Sequence, residues 1–411
     1  MDILNSTLDY GEWLRFFDYK KSGGHLRRAE EQELKEFIEN KRYLPVAQKL
    51  CSGGCFGVPA ALQVNKSSTN RKRTVFTFAD DEKNVQKFIA YKLLEYDGIF
   101  ADNLYSFRRN MGVKKAVIRL FYAKGIQNMY SYKVDISDYF NSVSPEILLP
   151  ELKKVLRDDL PLYRVIEDML NCPFAISDGT KAEMKKGILA GSPLSGFLAN
   201  LYLEGLDRHF EENGVLYARY SDDIIIFAES EDEIERHAEY LNDFLKSRRL
   251  GINERKVCRT NPHEKWTFLG FSYSNGVIDI AEVSKDKLKK KMRRKARALV
   301  RWKRRKGASA ERAAAAFIRY FNKKLYENDA MHEITWCRWY FPVITTSSGL
   351  REIDEYTQQC IRYIATEKQN KGKFRFKYAD MKSLGYTTLV NNYYKFKSTG
   401  KTDYEIREKT N

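Results

Sequence analysis

Two adjacent carboxylates, Asp222 and Asp223, lie between two apolar stretches of the chain. Alternating apolar residues lead up to Tyr220, and the apolar run 224–227 follows, which predicts the two buried strands of a hairpin. Ionised aspartates at the tip of a hairpin repel each other, and a divalent metal ion neutralises them best. The Asp-Asp dipeptide alone is more typical of an ordinary turn, so the metal hypothesis depends on further residues.

Two other segments, both earlier in the chain, contain residues suited to the same chemistry. Asp135 belongs to a second strand-like run, and the bulky Phe140 follows five positions later. The segment 187–200 is a loop rich in Gly and Pro that leads into an apolar helix containing Asn200. Carboxylates from two different strands can converge on a pair of metal ions.

In order and spacing, these three segments resemble motifs A, B and C of reverse transcriptases. The segments 336–341 and 350–354 resemble the thumb of the bacterial lineage that includes group II intron proteins and retrons, and 378–395 resembles the ending of defence-associated enzymes, in particular type 2. The resemblance implies an α+β fold, namely a right-hand polymerase with fingers, an antiparallel-sheet palm and a helical thumb. The implied domains are an N-terminal helical extension (1–64), fingers (65–130), a palm (131–283) with a finger-like helical insertion at about 145–185, and a basic helical thumb with the C-terminal tail (284–411).

The resemblance also assigns catalytic residues. Asp135 and Asp222 would hold two Mg²⁺ ions, which suit a site made only of oxygen ligands. The backbone carbonyl of Ile136 would contribute to the same site, and Asp223 would ligate less directly. The segment 251–256 resembles motif D, in which Lys256 would protonate the leaving pyrophosphate.

Two aromatic residues have both a functional and a structural interpretation. Phe140 corresponds to the steric gate of the family, where a ring beneath the incoming sugar excludes a 2′-hydroxyl and selects deoxynucleotides. A core aromatic beside the catalytic strand is the alternative, and one ring can serve both purposes. Tyr220 would pack near the primer end, although a structural role for this ring is about equally compatible with the sequence.

Basic residues and a glycine loop complete the implied substrate site. Arg73 and Arg108 lie in two segments that resemble the finger motifs whose basic side chains meet the triphosphate. The loop residues Gly191, Ser192 and Pro193 would let the backbone approach the templating base pair, since glycine accepts backbone conformations that other residues avoid.

One residue departs from the family pattern. Ala190 precedes Gly191 at the position where many reverse transcriptases have Gln, and Ala cannot make the polar contacts of that Gln. The departure mildly supports an alternative function, a template-independent DNA polymerase of the abortive-infection kind. An RNA-binding, maturase-like protein with an idle site is a second alternative. The intact Asp135, Asp222, Asp223 and Lys256 argue against it.

The charge of the chain predicts a polyanionic partner. The net charge is +17, and 14 of the 22 residues in 285–306 are Lys or Arg, so the excess is concentrated in one predicted helix. A basic amphipathic helix can also lie on a membrane, but 26 Tyr and 24 Phe favour nucleic acid because aromatic rings offer stacking surfaces. We expect Arg293, Arg294 and Arg297 to contact RNA.

The remaining features bound the location and the partners. Six cysteines show no paired metal spacing, and reduced thiols fit a cytoplasmic protein best. The first residues lack the pattern of a secretory signal, and no apolar stretch is long enough to span a membrane. The expected partners are therefore dNTPs, an RNA/DNA duplex and a structured non-coding RNA, which would be copied into complementary DNA in antiviral (anti-phage) defence.

Local patterns also predict individual elements. The sequence indicates helices over 80–94 and 231–249, the second capped by Ser230 and closed by Gly251. Asn275-Gly276 predicts a hairpin turn. The stretch 145–180 is predicted to be helical with breaks.

Overall fold

The computed structural model describes residues 2–23, 26, 28–65, 72–185, 187–326, 335–368 and 370–402. The chain divides into two compact units, Met1–His263 and Glu264–Asn411. Both units mix helices with antiparallel strands, as the α+β prediction requires. None of the helices in the described parts of the chain is both long and apolar enough to cross a membrane.

The first unit contains most of the elements. Its helices are α1 (Ile3–Ser6), α2 (Tyr10–Ser22), α3 (Arg28–Glu39), α4 (Leu44–Cys51), α5 (Asp80–Leu93), α6 (Val113–Phe121), α7 (Tyr139–Ser142), α8 (Pro145–Val155), α9 (Leu160–Asn171), α10 (Ser195–Tyr202), α11 (Glu204–Glu212) and α12 (Glu231–Ser247). Its strands are β1 (Ala60–Asn65), β2 (Lys72–Thr77), β3 (Tyr130–Asp135), β4 (Phe174–Ser177), β5 (Thr180–Glu183), β6 (Tyr217–Tyr220), β7 (Asp223–Ala228) and β8 (Cys258–Thr260). Short 3-10 segments lie at Leu94–Ile99, Ile126–Asn128 and Glu254–Lys256.

The N-terminal helices share their core with α5. Trp13 is fully buried, and its ring stacks on Tyr43 at a centroid distance of 4.7 Å and on Phe88 at 4.4 Å. Aromatic pairs of this kind add to the stabilisation from burial alone. The extension predicted for residues 1–64 therefore belongs to the same compact unit as the helix predicted at 80–94.

The sheet that carries the carboxylates has the strand order β6-β7-β3-β8. Strand β7 is buried from Ile224 to Ala228, and α12 covers β3 and β7 with the apolar face that includes Ile234 and Leu241. A strand that is apolar at every position is expected where both faces of a sheet are covered. The predicted hairpin around 222–223 is therefore present, and its turn emerges at one edge of a packed core.

Two local predictions differ from the structure. The region 145–180 contains α8 and α9 but ends in the hairpin β4–β5, whose turn residues Asp178 and Gly179 have φ of 50° and 79°. Asp-Gly is a hairpin signal, and β4 joins β1 in the sheet ordered β2-β1-β4-β5. Helix α12 begins at the predicted Ser230 cap but ends before Gly251, because Arg249 adopts the left-handed conformation (φ 55°) and Leu250 N donates to Leu245 O.

The second unit begins with a three-stranded antiparallel sheet and continues with helices. Its elements are β9 (Trp266–Phe268), β10 (Phe271–Ser274), β11 (Val277–Ile280), α13 (Glu282–Lys306), α14 (Ala310–Leu325), α15 (Trp336–Tyr340), α16 (Ser348–Thr366), a 3-10 turn (Lys371–Arg375), α17 (Tyr378–Ser383) and α18 (Leu389–Thr399). Asn275 and Gly276 form the predicted turn, with φ of 46° and 81°. The structure groups this hairpin with the basic helix α13, whereas the sequence assigned it to the palm with 131–283.

Candidate active site

Strand register brings the predicted carboxylates to one end of the sheet. Strands β3 and β7 are antiparallel, with Asp135 opposite Asp223. Just beyond this pair, Ile136 N donates a hydrogen bond of 2.9 Å to Asp222 O. On the other side of β3, Asn253 N donates to Asp135 O at 2.8 Å, which carries the segment of Lys256 to the same place. Asp135 and Asp223, 88 positions apart in the sequence, thus meet at the end of the sheet. A one-residue shift in the register of β3 on β7 would turn apolar side chains away from the core.

The turn that presents the aspartates has an unusual backbone. Ser221 has φ of 60°, a conformation that costs free energy for a non-glycine residue and persists where its surroundings enforce it. Ser221 N donates to Ser106 Oγ at 2.8 Å, and Ser221 O accepts from Arg219 Nη1 at 3.3 Å. Ser106 is itself tied to Asn200, whose Nδ2 donates to Ser106 O at 2.8 Å. The turn is therefore held from both sides by buried hydrogen bonds.

Beneath the turn lies a buried ion pair that the sequence analysis did not identify. Arg219 and Asp207 are both fully buried, and Arg219 Nε donates to Asp207 Oδ1 at 2.8 Å. Tyr217 Oη donates to the same oxygen at 2.8 Å, and Arg219 Nη2 also reaches Asn200 O at 3.3 Å. Burial lowers the pKa of Arg219, but the Asp207 carboxylate raises it further, so the guanidinium stays charged. In the sequence, the signal for this pair is a single arginine within the otherwise uncharged strand β6, because a buried arginine needs an acidic partner.

Negative charge accumulates around the turn. Burial raises the pKa of Asp222 to about 6, and the neighbouring Asp135 carboxylate raises it as well. Burial also raises the pKa of Asp223, while Lys133, whose Nζ lies 3.6 Å from Asp223 Oδ1, opposes this shift. Lys256 Nζ lies 2.6 Å from Asp135 Oδ2, but its side chain is 57% exposed, so solvent weakens the pair. The carboxylates thus destabilise one another in a way that a cation would relieve.

The donor set fits magnesium. Within the described ranges no group of three or more His, Cys, Asp or Glu side chains is arranged to hold a metal ion by itself. Mg²⁺ is commonly held by one or two carboxylates together with substrate phosphates and water, so Asp135 and Asp222 suffice on the protein side. The mutual repulsion of these carboxylates, whose ligand atoms are oxygens, favours a hard cation.

A cavity of about 610 Å³ opens in front of Asp135 and Asp222. Of the residues predicted to act in the site, seven line this cavity: Arg73, Asp135, Ile136, Phe140, Gly191, Asp222 and Lys256. Its volume is in the range of sites that hold a small molecule. The structure therefore brings a space large enough for a small molecule, the carboxylates of Asp135 and Asp222 and two cationic side chains together in the first unit.

The loop at 190–193 packs against β2 through its backbone. Phe76 N donates to Ala190 O at 2.7 Å, and a Cβ on Gly191, which has φ of 107°, would come within 2.8 Å of Phe76 O. Only glycine fits this approach without displacing the strand. Ser192 is 7% exposed, and its Oγ donates to Gln86 Oε1 at 2.9 Å. The Ser192 hydroxyl is thus engaged inside the protein, which leaves the backbone of this loop as the part predicted to approach the templating base pair.

Arg108 differs from the prediction. Its side chain is 4% exposed, and Arg108 Nε lies 3.0 Å from Asp97 Oδ1. Arg108 Nη1 donates to the carbonyls of Ala101 and Leu104. Because these partners occupy the guanidinium, Arg108 braces the fold here and does not line the cavity with Arg73. Burial of an arginine requires such pairing, which explains why the structural role prevails.

The other predicted residues lie near the cavity or in the second unit. Tyr220 and Asp223 flank the turn but lie outside the cavity lining, and Pro193 lines a neighbouring cavity of about 670 Å³ together with Arg108, Phe140 and Gly191. Arg293, Arg294 and Arg297 lie on α13 with exposed side chains.

The matches with known proteins agree with this geometry. Retron Ec86 reverse transcriptase from Escherichia coli is 25% identical over 221 residues, which cover 52% of this chain and 62% of the relative. Retron Ec83 reverse transcriptase from the same organism is 23% identical over 156 residues, covering 36% of this chain and 49% of the relative. The chain thus spans 62% and 49% of the lengths of these two curated relatives, less than two thirds of either.

Solved structures and a family match complete the comparison. Apo telomerase from Candida tropicalis has a TM-score of 0.47 and 12% identity, covering 85% of this chain and 64% of the telomerase. A telomerase from the same organism, truncated from the C-terminal domain, has a TM-score of 0.45, 12% identity and 55% coverage of each chain. Residues 64–273 match the family described as reverse transcriptase (RNA-dependent DNA polymerase). This match spans just over half of the chain, and the predicted relationship is confirmed: the protein belongs to the reverse transcriptase family.

Proposed function

We propose that this protein is an RNA-directed DNA polymerase that copies RNA into complementary DNA with Mg²⁺. The observation that supports this most is the register of β3 and β7, which sets Asp135 and Asp222 at the edge of a cavity that also contains Arg73 and Lys256. Nucleotidyl transfer depends mainly on positioning and charge stabilisation, which such an arrangement supplies.

Each side chain has a distinct part in this proposal. Asp135, Asp222 and the Ile136 carbonyl would hold two magnesium ions, which when bound activate the attacking 3′-hydroxyl and stabilise the leaving pyrophosphate. Arg73 would contact the triphosphate, since a guanidinium matches phosphate oxygens with two parallel hydrogen bonds. Lys256 would donate a proton to the pyrophosphate.

Phe140 lines the cavity beside Asp135 and Gly191 and would exclude a 2′-hydroxyl from the sugar site. The ring also packs edge-to-face on Phe107 and Tyr139 at centroid distances of 6.1 and 5.7 Å. These contacts support the combined interpretation, in which one ring stabilises the fold and limits the sugar. Under the same proposal, 65–130 correspond to fingers, 131–283 to a palm and 284–411 to a thumb.

The test is primer extension with the full-length protein. An RNA template annealed to a DNA primer should be extended with dNTPs and Mg²⁺, and removal of the metal by a chelator should stop the reaction. Equal incorporation with and without template would move the protein to a template-independent class. No incorporation by the folded protein, together with tight RNA binding, would favour a maturase-like function.

The template-independent alternative has one specific observation in its favour. Ala190 lines the cavity with a methyl group, and its carbonyl is occupied by Phe76 N, so neither group is available for polar contacts to a template base. Ala190→Gln should therefore raise the dependence of incorporation on template if the missing amide matters. An unchanged ratio of templated to untemplated product would remove this argument.

We further propose that the RNA is a structured non-coding species and that the protein acts in antiviral defence. The motivation is the excess of positive charge in 285–306 and the resemblance of the C-terminal segments to defence-associated enzymes. Sequencing of the RNA and new DNA that co-purify with the protein tests this. One dominant RNA with matching complementary DNA is expected, and a broad sample of cellular transcripts would contradict the proposal.

A further inference from the structure

The basic helix α13 packs lengthwise against α16, and ion pairs neutralise both ends of this contact. Lys285 and Lys289 pair with Glu352 near the start of α16. At the other end, Glu367 Oε1 lies 2.8 Å from Lys303 Nζ, and Glu367 Oε2 lies 2.5 Å from Arg304 Nη2. Lys303 and Arg304 hold the pKa of Glu367 below its usual value. At these two ends the positive charge of the helix serves the fold of the second unit.

The middle of the same contact is different. Arg293 and Arg297 project beside the small, buried Ala296, and in the described part of the chain neither pairs with a carboxylate. The opposite residues of α16 are neutral, including Tyr356, whose Oη accepts from Arg293 Nε at 3.0 Å, and Tyr363. The stripe of α16 that faces α13 is thus acidic at its ends and aromatic at its centre.

A cavity of about 480 Å³ lies at this centre. Two more cations, Lys368 and Lys373, reach it from the segment after α16. Glu367 has φ of 57° and turns the chain at this point, so the ion pairs of Glu367 also fix the loop that delivers Lys368. Four cationic side chains and no carboxylate therefore surround one space in the second unit.

The uncompensated charge indicates an anionic ligand. Burial raises the pKa of the Cys360 thiol to about 12, so this lining residue stays neutral. Like charges held together without counter-charges cost free energy that a bound anion would recover. The volume is suitable for a nucleotide, arginines form paired hydrogen bonds with phosphate, and tyrosine rings stack on bases.

We propose that this cavity binds one unpaired nucleotide of an RNA strand, with its phosphate at Arg293 and Arg297 and its base against Tyr356 and Tyr363. The choice of RNA rests on the proposed function. Proteins recognise RNA mainly through unpaired nucleotides stacked on aromatic side chains, because the deep major groove of an RNA duplex is inaccessible. The cavity would anchor a loop or bulge of the RNA at a site in the second unit.

The test compares two pairs of arginines on α13. Arg293→Gln with Arg297→Gln removes the pair at the cavity, and Arg301→Gln with Arg305→Gln removes an exposed pair with the same spacing and charge outside it. Fluorescence anisotropy of the full-length protein with a short unstructured RNA, at constant salt, should show a loss about tenfold larger for the cavity pair. Equal losses would mean general charge attraction and would overturn the site.

A second pair of variants separates space from charge. Gln359 is an exposed, uncharged lining residue, so Gln359→Trp fills the mouth of the cavity and Gln359→Ala leaves it open. We expect only the tryptophan variant to weaken single-stranded RNA binding about tenfold, with binding of an RNA duplex unaffected. Wild-type affinity in Gln359→Trp, or an equal loss for the duplex, would overturn the proposal.

Two outcomes concern the ligand and the proposed function. Because the cavity is proposed to hold one nucleotide of the RNA, millimolar AMP should displace RNA from the wild type. AMP that binds at the cavity without displacing RNA would indicate a free-nucleotide site and overturn the assignment to RNA. Binding is measured without dNTPs or primer. A protein that binds RNA through the cavity but incorporates no dNTP would therefore contradict the polymerase proposal alone, and active polymerisation with no cavity dependence would contradict only this site.

Discussion

The cavity beside Asp135 and Asp222 in the first unit and the basic cavity of the second unit are opposites in charge. At the first, the carboxylates of Asp135 and Asp222 repel each other and Asp223, which lies just outside the lining. The positive charges of Lys133 and Lys256 only partly offset this repulsion. In the second, four cations surround a space without a carboxylate. Each cavity thus has an excess of the charge opposite to that of its expected ligand, a metal cation in one and a phosphate in the other.

The compensated pairs nearby have a different role. Asp207 and Arg219 are fully buried and satisfy each other, and Glu367 satisfies Lys303 and Arg304. The first pair supports the turn at 221–222, and the second fixes Glu367, where the chain turns towards Lys368. The comparison suggests a working rule for this protein: buried ion pairs that are fully satisfied support the fold, and an excess of one charge around a cavity is a candidate ligand site.

The largest expected effect removes the unmatched charge of the first unit. Asp222→Ala with Asp223→Ala should reduce DNA synthesis by about 1,000-fold or more, because the metal ions lose protein ligands that stabilise the transition state by several kcal/mol. RNA binding should stay largely intact, since it depends on Lys and Arg contacts to phosphates. Primer extension and anisotropy on the same preparation measure both, and continued polymerisation by the folded variant would refute the assignment.

The next test breaks a matched pair. Arg219→Met or Asp207→Leu alone should lower the free energy of unfolding by about 3–5 kcal/mol, because each leaves one buried charge without its partner. The double variant should recover most of this stability but not the DNA synthesis, since Ser221 O and Asn200 O would still lack the Arg219 donors. Urea unfolding with primer extension distinguishes these outcomes. Full activity in the double variant would show that the pair does not position the turn.

A smaller effect concerns a buried carboxylate in the scaffold of the second unit. Asp354 accepts from the backbone N–H groups of Leu389 and Val390 at 2.8 and 3.1 Å, and burial raises its pKa to about 6. The folded protein therefore binds this proton more tightly than the unfolded chain, and the resulting stability is present below about pH 4 and lost as the pH rises through 6.

Relative to Asp354→Asn, which cannot titrate, the wild type should thus gain about 2 kcal/mol between about pH 7 and pH 4. Thermal unfolding of both proteins at both pH values measures the difference. The variant controls for the general effect of acid on a basic protein. A stability difference that does not change with pH would show that the backbone donors, rather than burial, determine the ionisation of Asp354.

The smallest expected effect concerns the shape of the cavity beside Asp135 and Asp222, in which Phe140 would limit the sugar that fits. Phe140→Ala should raise ribonucleotide incorporation relative to deoxyribonucleotide incorporation by about tenfold. Removal of the ring removes the steric clash with the 2′-hydroxyl, and a single contact of this size changes discrimination by about that factor. Single-nucleotide incorporation kinetics measure the ratio. If discrimination is unchanged in a folded, active variant, Phe140 acts only as a core residue through Phe107 and Tyr139.

Local patterns predicted much of the fold. Alternation and apolar runs placed the strands around Asp135 and Asp222, the Ser230 cap and the Asn275-Gly276 turn lie where they were expected, and the charge pattern located α13. These features depend on residues close together in the sequence, so they are readable without the tertiary structure. The hairpin β4–β5 departs from the helical prediction for 145–180, because a short Asp178-Gly179 turn after two helices is a weaker local signal than the helices themselves.

The sequence by itself determined the family, the carboxylates and the basic helix, because motif spacing and charge density are properties of the chain alone. Only the tertiary structure decided which charges are matched. It occupied Arg108 with Asp97, paired Arg219 with Asp207, and left Arg293 and Arg297 facing neutral residues of α16. The physical reason is that an ion pair requires approach to within about 4 Å, and residues distant in sequence reach that separation only through the packing of helices and strands.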